Sequence, residues 1–577
     1  MSICDPGVSD PQRRPRRILH VADSPASFAT LRAALPPSRT AAPEVEADCP
    51  ADTHRVALDG EVIELVGHHE PAGARACLQL HYVNLLVLDL RALPSDPPQR
   101  PDEGLPVARR GFALDFLDAL DHVDDLELRY GFHRIVVVVP DTPTADIDAL
   151  LVELGARGVR HVLRAGPSSS DTGPERAFAD RLLAESLRIL RERRTPRSAL
   201  CASGGGITGI FFEMGVLKCL DDALVGRRVN EFDMLFGISA GAVVTSLLAV
   251  GYSIGELMAA IAGHPGGRIP PLNLSLARAS HVNYRDMAWR ARSTLRSAGR
   301  TARDALARRG RPDWDSLFLD STALVGAPFH SNEFEEMLRN VLTANGGTNR
   351  FDALPRPLHI GATDQDERRA VLFGAEGQRD TPISQAVQAS LSINPAFGSV
   401  AIKGHYYEDG AITRTSNFVE AIHRGATLVL VLDPFVPYVS KVPGVSHRRG
   451  LLYNIDQDIR TISYTRYEAT RNHVLRQHPE VSSYTFLPSN SLRKLLSVNP
   501  MDHRPYLEIW KGAYLSTLQR LEQVCHRLRG DFFEQGMRLD TAAPLAVAAR
   551  LEAAREPTLS DFFPNGRVEL ERPPLLR

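Results

Sequence analysis

The sequence lacks the features that mark several specialised classes of protein. Its 577 residues include only 6 cysteines, none of them in a CxxC pair. The sequence therefore predicts neither a zinc ribbon nor a disulfide-dense scaffold, and it fits a reducing compartment. The formal net charge of −2 gives no overall attraction to nucleic acid. With 43% hydrophobic and 24% charged residues, the composition is that of a globular protein of about two or three domains.

Export and membrane-spanning signals are also scarce. The first 17 residues are polar and rich in arginine, without the apolar core of a secretory signal. The longest uncharged run, 234–255, is long enough to cross a bilayer, but its glycines and hydroxyl residues are better explained by a buried strand, turn and helix. We therefore expect a cytoplasmic protein that can reach a membrane only peripherally.

The sequence does contain two glycine-rich turns, each preceded by an apolar strand. The first is Ala202-Ser-Gly-Gly-Gly-Ile-Thr-Gly209, and the second is Gly237-Ile-Ser-Ala-Gly241. The second turn can hold a serine hydroxyl on a sharp bend between a strand and a helix, with Gly237 and Gly241 forming the elbow around Ser239. The first can direct backbone N–H groups at one point, as an oxyanion hole requires. The residues predicted to form this hole are Gly204, Gly205, Gly206, Gly209 and Ala240.

Both turns have alternative interpretations. A Gly-x-Ser-x-Gly pattern alone is a weak signal, and a second copy occurs at 251–255 around Ser253. That copy follows a helix-like segment, so it lacks the strand-to-helix context of a nucleophile. The loop at 204–209 could instead cradle a phosphate, but no Lys-Ser or Lys-Thr follows it and the dinucleotide pattern is incomplete. A nucleophile with an oxyanion hole is therefore favoured, which predicts a serine acyl hydrolase.

A serine nucleophile needs a base, and the glycine loop carries no histidine. Downstream, the run Asp409-Gly410-Ala411 follows an aromatic, strand-like segment. An aspartate held there could accept the serine proton directly. The alternative is that Asp409 merely caps the helix after Asn417, because Asp-Gly turns are common.

Taken together, residues 198–440 resemble a patatin-like phospholipase domain. The glycine loop, the serine elbow and Asp409-Gly410-Ala411 occur in the order of that family, with further matches at Gly215-Val-Leu217 and 361–364. The resemblance implies a three-layer α/β/α fold and a Ser239–Asp409 dyad, with no catalytic histidine, metal or cofactor. Two departures occur, since Thr208 stands where the family has Arg or Lys, and Asn394 is inserted before Pro395.

Residues 17–170 resemble a response-regulator receiver, a flavodoxin-like, doubly wound α/β domain. Apolar strands end at Asp23 and Asp89, where that family binds metal and phosphate, but Ala22 and Arg164 replace other residues of its site. The domain is therefore either a phosphorylated switch or, as we favour, a degenerate receiver kept for a protein partner or a homodimer. Other predicted segments are a disordered N-terminus at 1–16, a helical connector at 171–197 and a mainly helical extension at 441–577.

A basic segment, Arg285–Arg311, carries nine arginines against two aspartates. It is predicted to be either a lid over the acyl site or a peripheral contact with anionic lipid, and its lack of interleaved aromatics argues against nucleic acid. We therefore predict a hydrolase of phospholipid or lysophospholipid acyl esters. The alternatives are a catalytically weak scaffold acting through the receiver-like domain, and a transacylase or thioesterase using the same dyad.

Overall fold

The structure is a computed structural model that describes most of the chain between residues 16 and 570. The described ranges are 16–22, 25–35, 53–58, 61–91, 105–123, 129–141, 143–166, 172–191, 195–272, 329–394, 396–499 and 501–568, with isolated positions at 127, 284, 288–292, 295, 296, 299, 303 and 570. Two compact units are formed. Unit 1 comprises Met1–Pro196, Val474–Ser482 and Leu521–Asp540, and unit 2 comprises Arg197–His473, Ser483–Arg520 and Thr541–Arg577.

Unit 1 is built on one six-stranded sheet. Its strands are β1 (Arg16–Ala22), β2 (Thr53–Leu58), β3 (Glu61–His68), β4 (Leu85–Asp89), β5 (Ile135–Pro140) and β6 (His161–Ala165). They lie in the order β2-β3-β1-β4-β5-β6, with β2 antiparallel to β3 and the other pairs parallel. From β3 onwards this is the strand order of a doubly wound, flavodoxin-like sheet. The receiver resemblance itself stays a prediction.

Five helices accompany this sheet. They are α1 (Pro25–Ala34), α2 (Pro71–Leu80), α3 (Leu105–Asp121), α4 (Ala145–Ala156) and α5 (Thr172–Arg191). Helix α5 covers the segment predicted as a connector. Its apolar face, including Phe178, Leu182 and Leu187, is buried with β1 and β4 in one hydrophobic core. The segment is helical, as predicted, and its buried face packs it against the sheet of unit 1.

Unit 2 is built on a mixed sheet. Its strands are β7 (Ser198–Ala202), β9 (Met234–Ile238), β10 (Leu358–Asp364), β11 (Ala370–Phe373), β12 (Val400–Ile402), β13 (His405–Asp409), β14 (Leu428–Leu432) and β15 (Ser482–Phe486). A two-residue strand, β8 (Leu224–Val225), lies outside this sheet. The sheet order is β12-β13-β10-β9-β7-β14-β15, with β11 also on β10. Strands β10, β9, β7 and β14 are parallel and fully buried, as expected from their continuous apolar runs.

The remaining helices follow in chain order. They are α6 (Gly206–Ala223), α7 (Ala240–Ala249), α8 (Ile254–Ile261), α9 (Asn332–Thr343), α10 (Ile383–Ser390), α11 (Phe418–His423), α12 (Leu451–Gln477), α13 (Asn490–Val498), α14 (Tyr506–Glu534) and α15 (Ala542–Ala553). A short strand, β16 (Arg538–Leu539), lies between α14 and α15. Helices α7 and α11 both pack against β7 and β9. This mixed sheet with packed helices fits the patatin-like α/β class.

The C-terminal segment predicted as a mainly helical extension, 441–577, is mainly helical over its described residues. However, β15 continues the unit 2 sheet, and residues 474–482 and 521–540 are grouped with unit 1. Across the described residues, every helix is too short or too polar to cross a bilayer. Most of the basic segment Arg285–Arg311 lies outside the described residues, and so does Asp23.

Candidate active site

Ser239 stands on a sharp bend between β9 and α7. Its backbone has φ 52° and ψ −118°, a region that non-glycine residues rarely adopt. This strain places the side chain at the start of the helix and not on either face of the strand, as the elbow pattern predicts. The Ser239 N–H donates a hydrogen bond to Ser390 Oγ at 2.8 Å, and Ser390 Oγ donates to the Gly361 carbonyl at 2.6 Å. The bend is thus fixed to β10 through α10.

The two glycines of the elbow are required by close backbone approach. A Cβ at Gly241 would lie 2.3 Å from the Ala202 carbonyl oxygen. A Cβ at Gly237 would lie 2.3 Å from Thr245 Oγ1. The helix after Ser239 can therefore pack directly onto the strand before the glycine loop. The Gly241 N–H strengthens this contact by donating a hydrogen bond to the Ser203 carbonyl at 3.0 Å.

The glycine loop lies beside this elbow. A Cβ on Gly204 would be 3.4 Å from Ser239 Cβ and 3.9 Å from its Oγ. Among the described residues, the amides of Gly204, Gly205, Gly206 and Ala240 have no hydrogen-bond acceptor. Gly206 and Ala240 are the first residues of α6 and α7, where backbone N–H groups are unpaired by geometry. The glycine loop before α6 and the N-termini of α6 and α7 therefore offer unpaired donors beside the serine elbow.

Gly209 has a different place from the one predicted. Its N–H donates to the Gly205 carbonyl at 3.0 Å, as the first hydrogen bond of α6. This corrects its prediction as an oxyanion donor, because the amide is already used within the helix. Gly209 instead provides space, since a Cβ there would lie 3.3 Å from Ala240 Cβ and 3.3 Å from Pro434 Cγ.

Asp409 ends β13, where the chain turns beside β10. Its N–H donates to the Ser392 carbonyl at 3.0 Å, and its own carbonyl accepts from Thr363 Oγ1 at 3.0 Å. The carboxylate accepts a hydrogen bond from the Ala411 N–H at 2.8 Å, which caps the 3-10 turn 410–412 and not the helix after Asn417. The Ser239 hydroxyl lies near enough to this carboxylate to lower its pKa. The two residues are 170 positions apart in the sequence, so only tertiary structure brings them near each other.

The environment of Asp409 alters its acidity. Burial raises the pKa of Asp409 from 3.8 to about 7, partly opposed by the hydrogen bonds from Ala411 and Ser239 and increased by the negative Glu408. Desolvation disfavours the charged form of a buried carboxyl group, so this direction is expected. An acid with a pKa near neutrality can take up and return a proton at working pH.

The turn after Asp409 is held tightly. A Cβ on Gly410 would lie 2.4 Å from the Gly361 carbonyl oxygen, so only glycine fits. Ala411 Cβ would be 3.6 Å from a Cβ on Gly204, which places the Asp-Gly-Ala turn against the glycine loop. From α12, Arg466 donates to the Ala411 carbonyl at 2.9 Å and to the Ile412 carbonyl at 2.8 Å. Sequence reasoning missed Arg466, because no local pattern links an arginine on a distant helix to this turn.

Glu213 and Asp433 are among the other buried carboxyl groups of unit 2. Glu213 on α6 is fully buried, and neither carboxylate oxygen has a partner among the described residues. Burial and the nearby Asp433 raise the pKa of Glu213 well above its usual value. Burial raises the pKa of Asp433 to about 6, and one of its oxygens accepts from the Phe435 N–H at 2.9 Å. Such buried groups are costly to ionise.

The other candidates have structural partners. Ser253 begins α8 in a capping box, accepting from the Glu256 N–H while its own hydroxyl and N–H donate to the Glu256 carboxylate. His405, a possible alternative base, lies 3.1 Å from Asp364 Oδ2. With Glu367 these two could hold a metal ion, but the other Asp364 oxygen already accepts two backbone N–H groups, so the cluster is also explained as a turn.

The departures from the patatin pattern lie close to the site. Thr208 is buried, and its hydroxyl donates to the Gly205 carbonyl at 3.4 Å. Asn394 donates to Glu408 Oε2 at 3.1 Å, next to Asp409 along β13. The inserted Asn394 therefore lies beside the strand that carries Asp409, whereas Pro395 lies outside the described residues.

In unit 1, Asp89 is fully buried at the end of β4. Arg91 donates to both of its oxygens, at 3.0 and 2.8 Å, and also to Glu175 at 3.0 Å, while His20 Nε2 lies 3.2 Å away. Burial alone would raise the pKa of Asp89, but the hydrogen bonds with His20 and Arg91 hold it well below its usual range. This carboxylate is therefore enclosed by its own ion pair.

Comparison with known proteins bears on unit 2. Residues 200–422 match the family model of patatin-like phospholipases, which confirms a patatin-like domain in the predicted range. A 65-residue stretch is 37% identical to the cUMP-AMP-activated phospholipase of Escherichia coli, covering 11% of this chain and 20% of that protein.

Solved structures show only distant overlap. VipD from Legionella pneumophila gives a TM-score of 0.26 at 14% identity, over 62% of this chain and 76% of that one. The ExoU–SpcU complex from Pseudomonas aeruginosa gives 0.19 at 16% identity, over 63% of each chain. At such low TM-scores these overlaps carry no argument about function.

Proposed function

We propose that this chain is a serine acyl hydrolase that cleaves acyl esters of phospholipid or lysophospholipid through Ser239 and Asp409. The observation that carries the proposal is that Ser239, on its strained bend, and the turn after the buried Asp409 meet at one point, since a Cβ on Gly204 would lie 3.4 Å from Ser239 Cβ and 3.6 Å from Ala411 Cβ. The Ser239 hydroxyl is near enough to the Asp409 carboxylate to lower its pKa. The unpaired amides beside the hydroxyl support it further. The patatin-like domain supports a lipid hydrolase at the coarser level.

In the first half-reaction, Asp409 accepts the proton of the Ser239 hydroxyl while Oγ forms a bond to the ester carbonyl carbon. The negative charge that develops on the carbonyl oxygen is stabilised by the amides of Gly204, Gly205, Gly206 and Ala240. When the tetrahedral intermediate collapses, the bond to the leaving alkoxide breaks and Asp409 returns the proton to that oxygen. The products are the free alcohol and an acyl ester of Ser239.

In the second half-reaction, water replaces the alcohol. Asp409 accepts a proton from the water as its oxygen attacks the acyl carbon, and the same amides hold the oxyanion. Collapse breaks the bond to Oγ, which recovers its proton from Asp409, and the fatty acid leaves. Every proton that moves is held by Asp409, so the pair needs no histidine.

The substrate class rests on the comparisons. The matching family and the curated relative are both named phospholipases, and we extend that class to this chain. Because only 20% of the relative is covered, the activity of the whole protein is part of the proposal. Two partner proposals come from the sequence alone: lipid contact through Arg285–Arg311, and a protein partner or homodimer through the N-terminal domain.

The decisive test is covalent labelling of the nucleophile. Purified protein is treated with a fluorophosphonate, beside Ser239→Ala and the matched control Ser253→Ala from the second Gly-x-Ser-x-Gly copy. We expect labelling of the wild type and of S253A, no labelling of S239A, and release of fatty acid from phospholipid only by the first two. Well-folded wild-type protein that takes no label would support the scaffold alternative. Transfer of the acyl group to an added alcohol or thiol in preference to water would indicate a transacylase.

A further inference from the structure

An exposed apolar stripe runs along the first half of α12. Leu451, Ile455, Ile459 and Ile462 are 74%, 42%, 42% and 65% exposed. Their spacing of four, four and three residues places all of them on one face of the helix. A single exposed aliphatic side chain is ordinary, but four in a row form a patch that a globular surface normally reserves for an interaction.

The loop before this helix adds to the same patch. Val439 and Val442 are 58% and 64% exposed. The loop is well anchored, since Asn490 makes hydrogen bonds of 3.0 and 2.8 Å with the backbone N–H and carbonyl of Val439. The Tyr438 N–H also donates to Gln457 of α12 at 2.8 Å. The two valines are thus presented to solvent by a loop fastened to the helix that carries the stripe.

A basic rim borders the apolar residues. Lys441, His447, Arg448 and Arg449 are exposed in the residues leading into α12, and Arg449 lies over the ring of Tyr453 at 5.2 Å. One exposed carboxylate, Asp458, stands at the edge of the stripe. Apolar side chains next to an excess of cations are typical of a surface that enters the headgroup region of an anionic membrane.

The same helix reaches the candidate active site. One turn beyond Ile462, Arg466 holds the carbonyls of Ala411 and Ile412, and Ser463 hydrogen-bonds to Thr415 at 2.8 Å. Ile412 is itself 38% exposed. The patch is therefore joined through one rigid helix to the turn that follows Asp409.

We propose that this α12 surface docks onto a bilayer containing anionic lipid. We define it as Val439, Val442, the four aliphatic residues of the stripe and the basic rim. The inference rests on the proposed function, because a hydrolase of bilayer lipids must meet its substrate at the membrane interface. A second copy of the chain fits less well, since a symmetric contact would bring two basic rims face to face.

The test measures vesicle binding separately from hydrolysis. Full-length protein carrying Ser239→Ala, so that lipid is not consumed, is sedimented with vesicles of phosphatidylcholine alone or mixed with phosphatidylserine. On this background, Leu451→Asp with Ile462→Asp removes the two most exposed members of the stripe. Val152→Asp is the matched control, because Val152 is also 74% exposed on a helix but lies in unit 1. A third variant, Arg448→Glu with Arg449→Glu, reverses the rim.

We expect the stripe variant to bind mixed vesicles about a hundredfold more weakly, since it loses two aliphatic side chains and each of them contributes a factor of about ten when buried. The rim variant should lose about fivefold or more for each cation, with the loss confined to phosphatidylserine vesicles and abolished by high salt. V152D should bind as its parent does. Circular dichroism and thermal unfolding confirm that each variant is folded.

The proposal would be overturned if the stripe variant bound vesicles as tightly as its parent. It would also be overturned if the stripe substitutions only converted a dimer into a monomer. The wild-type protein could bind vesicles through the α12 surface and yet take no fluorophosphonate label and release no fatty acid. That result would support docking while refuting the proposed hydrolase. The two hypotheses are thus tested apart.

Discussion

Replacing Asp409 by Asn should abolish turnover and, at the same time, make the protein more stable at neutral and alkaline pH. The carboxyl group is buried and its pKa is raised from 3.8 to about 7. The folded protein therefore keeps a proton that the unfolded chain releases at lower pH. Stability falls as the pH rises above 3.8, and the loss is complete once the pH exceeds about 7.

The size of this effect follows from the two pKa values. At about 1.4 kcal/mol for each pH unit, the rise from 3.8 to about 7 corresponds to about 4 kcal/mol of lost stability at pH 8. Asparagine is neutral at every pH and can still accept the hydrogen bond from the Ala411 N–H. The D409N protein should thus exceed the wild type in unfolding free energy at pH 8, with the difference shrinking towards pH 4.

The assay is urea unfolding of wild type and D409N between pH 4 and 8, with Asp380→Asn as control because Asp380 is exposed. D380N should show no pH-dependent gain. In parallel, kcat/KM of the wild type should rise about tenfold per pH unit and level off above about pH 7, because the base must be ionised. A stability difference that is the same at pH 4 and pH 8, or turnover retained by D409N, would refute the assignment of Asp409 as a buried base.

Three further predictions concern the surroundings of the dyad. Gly205→Ala should lower kcat by about a hundredfold or more, because its Cβ would lie 2.7 Å from Pro434 Cγ and move the amide donors, while KM changes little. Arg466→Ala should lower kcat about tenfold and shift the pH midpoint of kcat/KM, because the turn after Asp409 loses its two hydrogen bonds from Arg466. Arg466→Lys should restore part of the rate, since a lysine can replace one of these two hydrogen bonds. Glu213→Gln should unfold at higher urea than the wild type at pH 8 but not at pH 4, because the raised pKa of Glu213 makes stability fall as pH rises above 4.5.

Much of the candidate site could be predicted because its turns depend on local chemistry. A serine held on a strand-to-helix bend needs small neighbours, so the pattern around Ser239 stands out in the sequence. The Asp-Gly-Ala turn stands out similarly, because Gly410 has no room for a side chain beside Gly361. The central strands were predictable for another reason, since continuous aliphatic runs such as 428–432 suit strands buried on both faces.

Other features left no local signal. The hairpin of β2 and β3 was not predicted, because its strands are half polar and β2 lies at the edge of the sheet. The packing of α5 was not predicted either, because its amphipathic pattern does not say what it packs against. Gly209 looked like an oxyanion donor, since only the start of α6 shows that its amide is used within the helix. Arg466 and the α12 surface lie outside every motif.

The sequence by itself determined the chemical groups: a serine on a tight bend, an aspartate before a glycine and a loop of small residues. These follow from backbone conformations that only certain residues can adopt. Tertiary structure alone decided that Asp409 is buried, which raises its pKa to about 7, that the Ser239 hydroxyl lies near enough to lower that pKa, and that Arg466 of α12 holds the turn after Asp409. Those properties depend on distances and desolvation between residues far apart in the chain, which no local pattern contains.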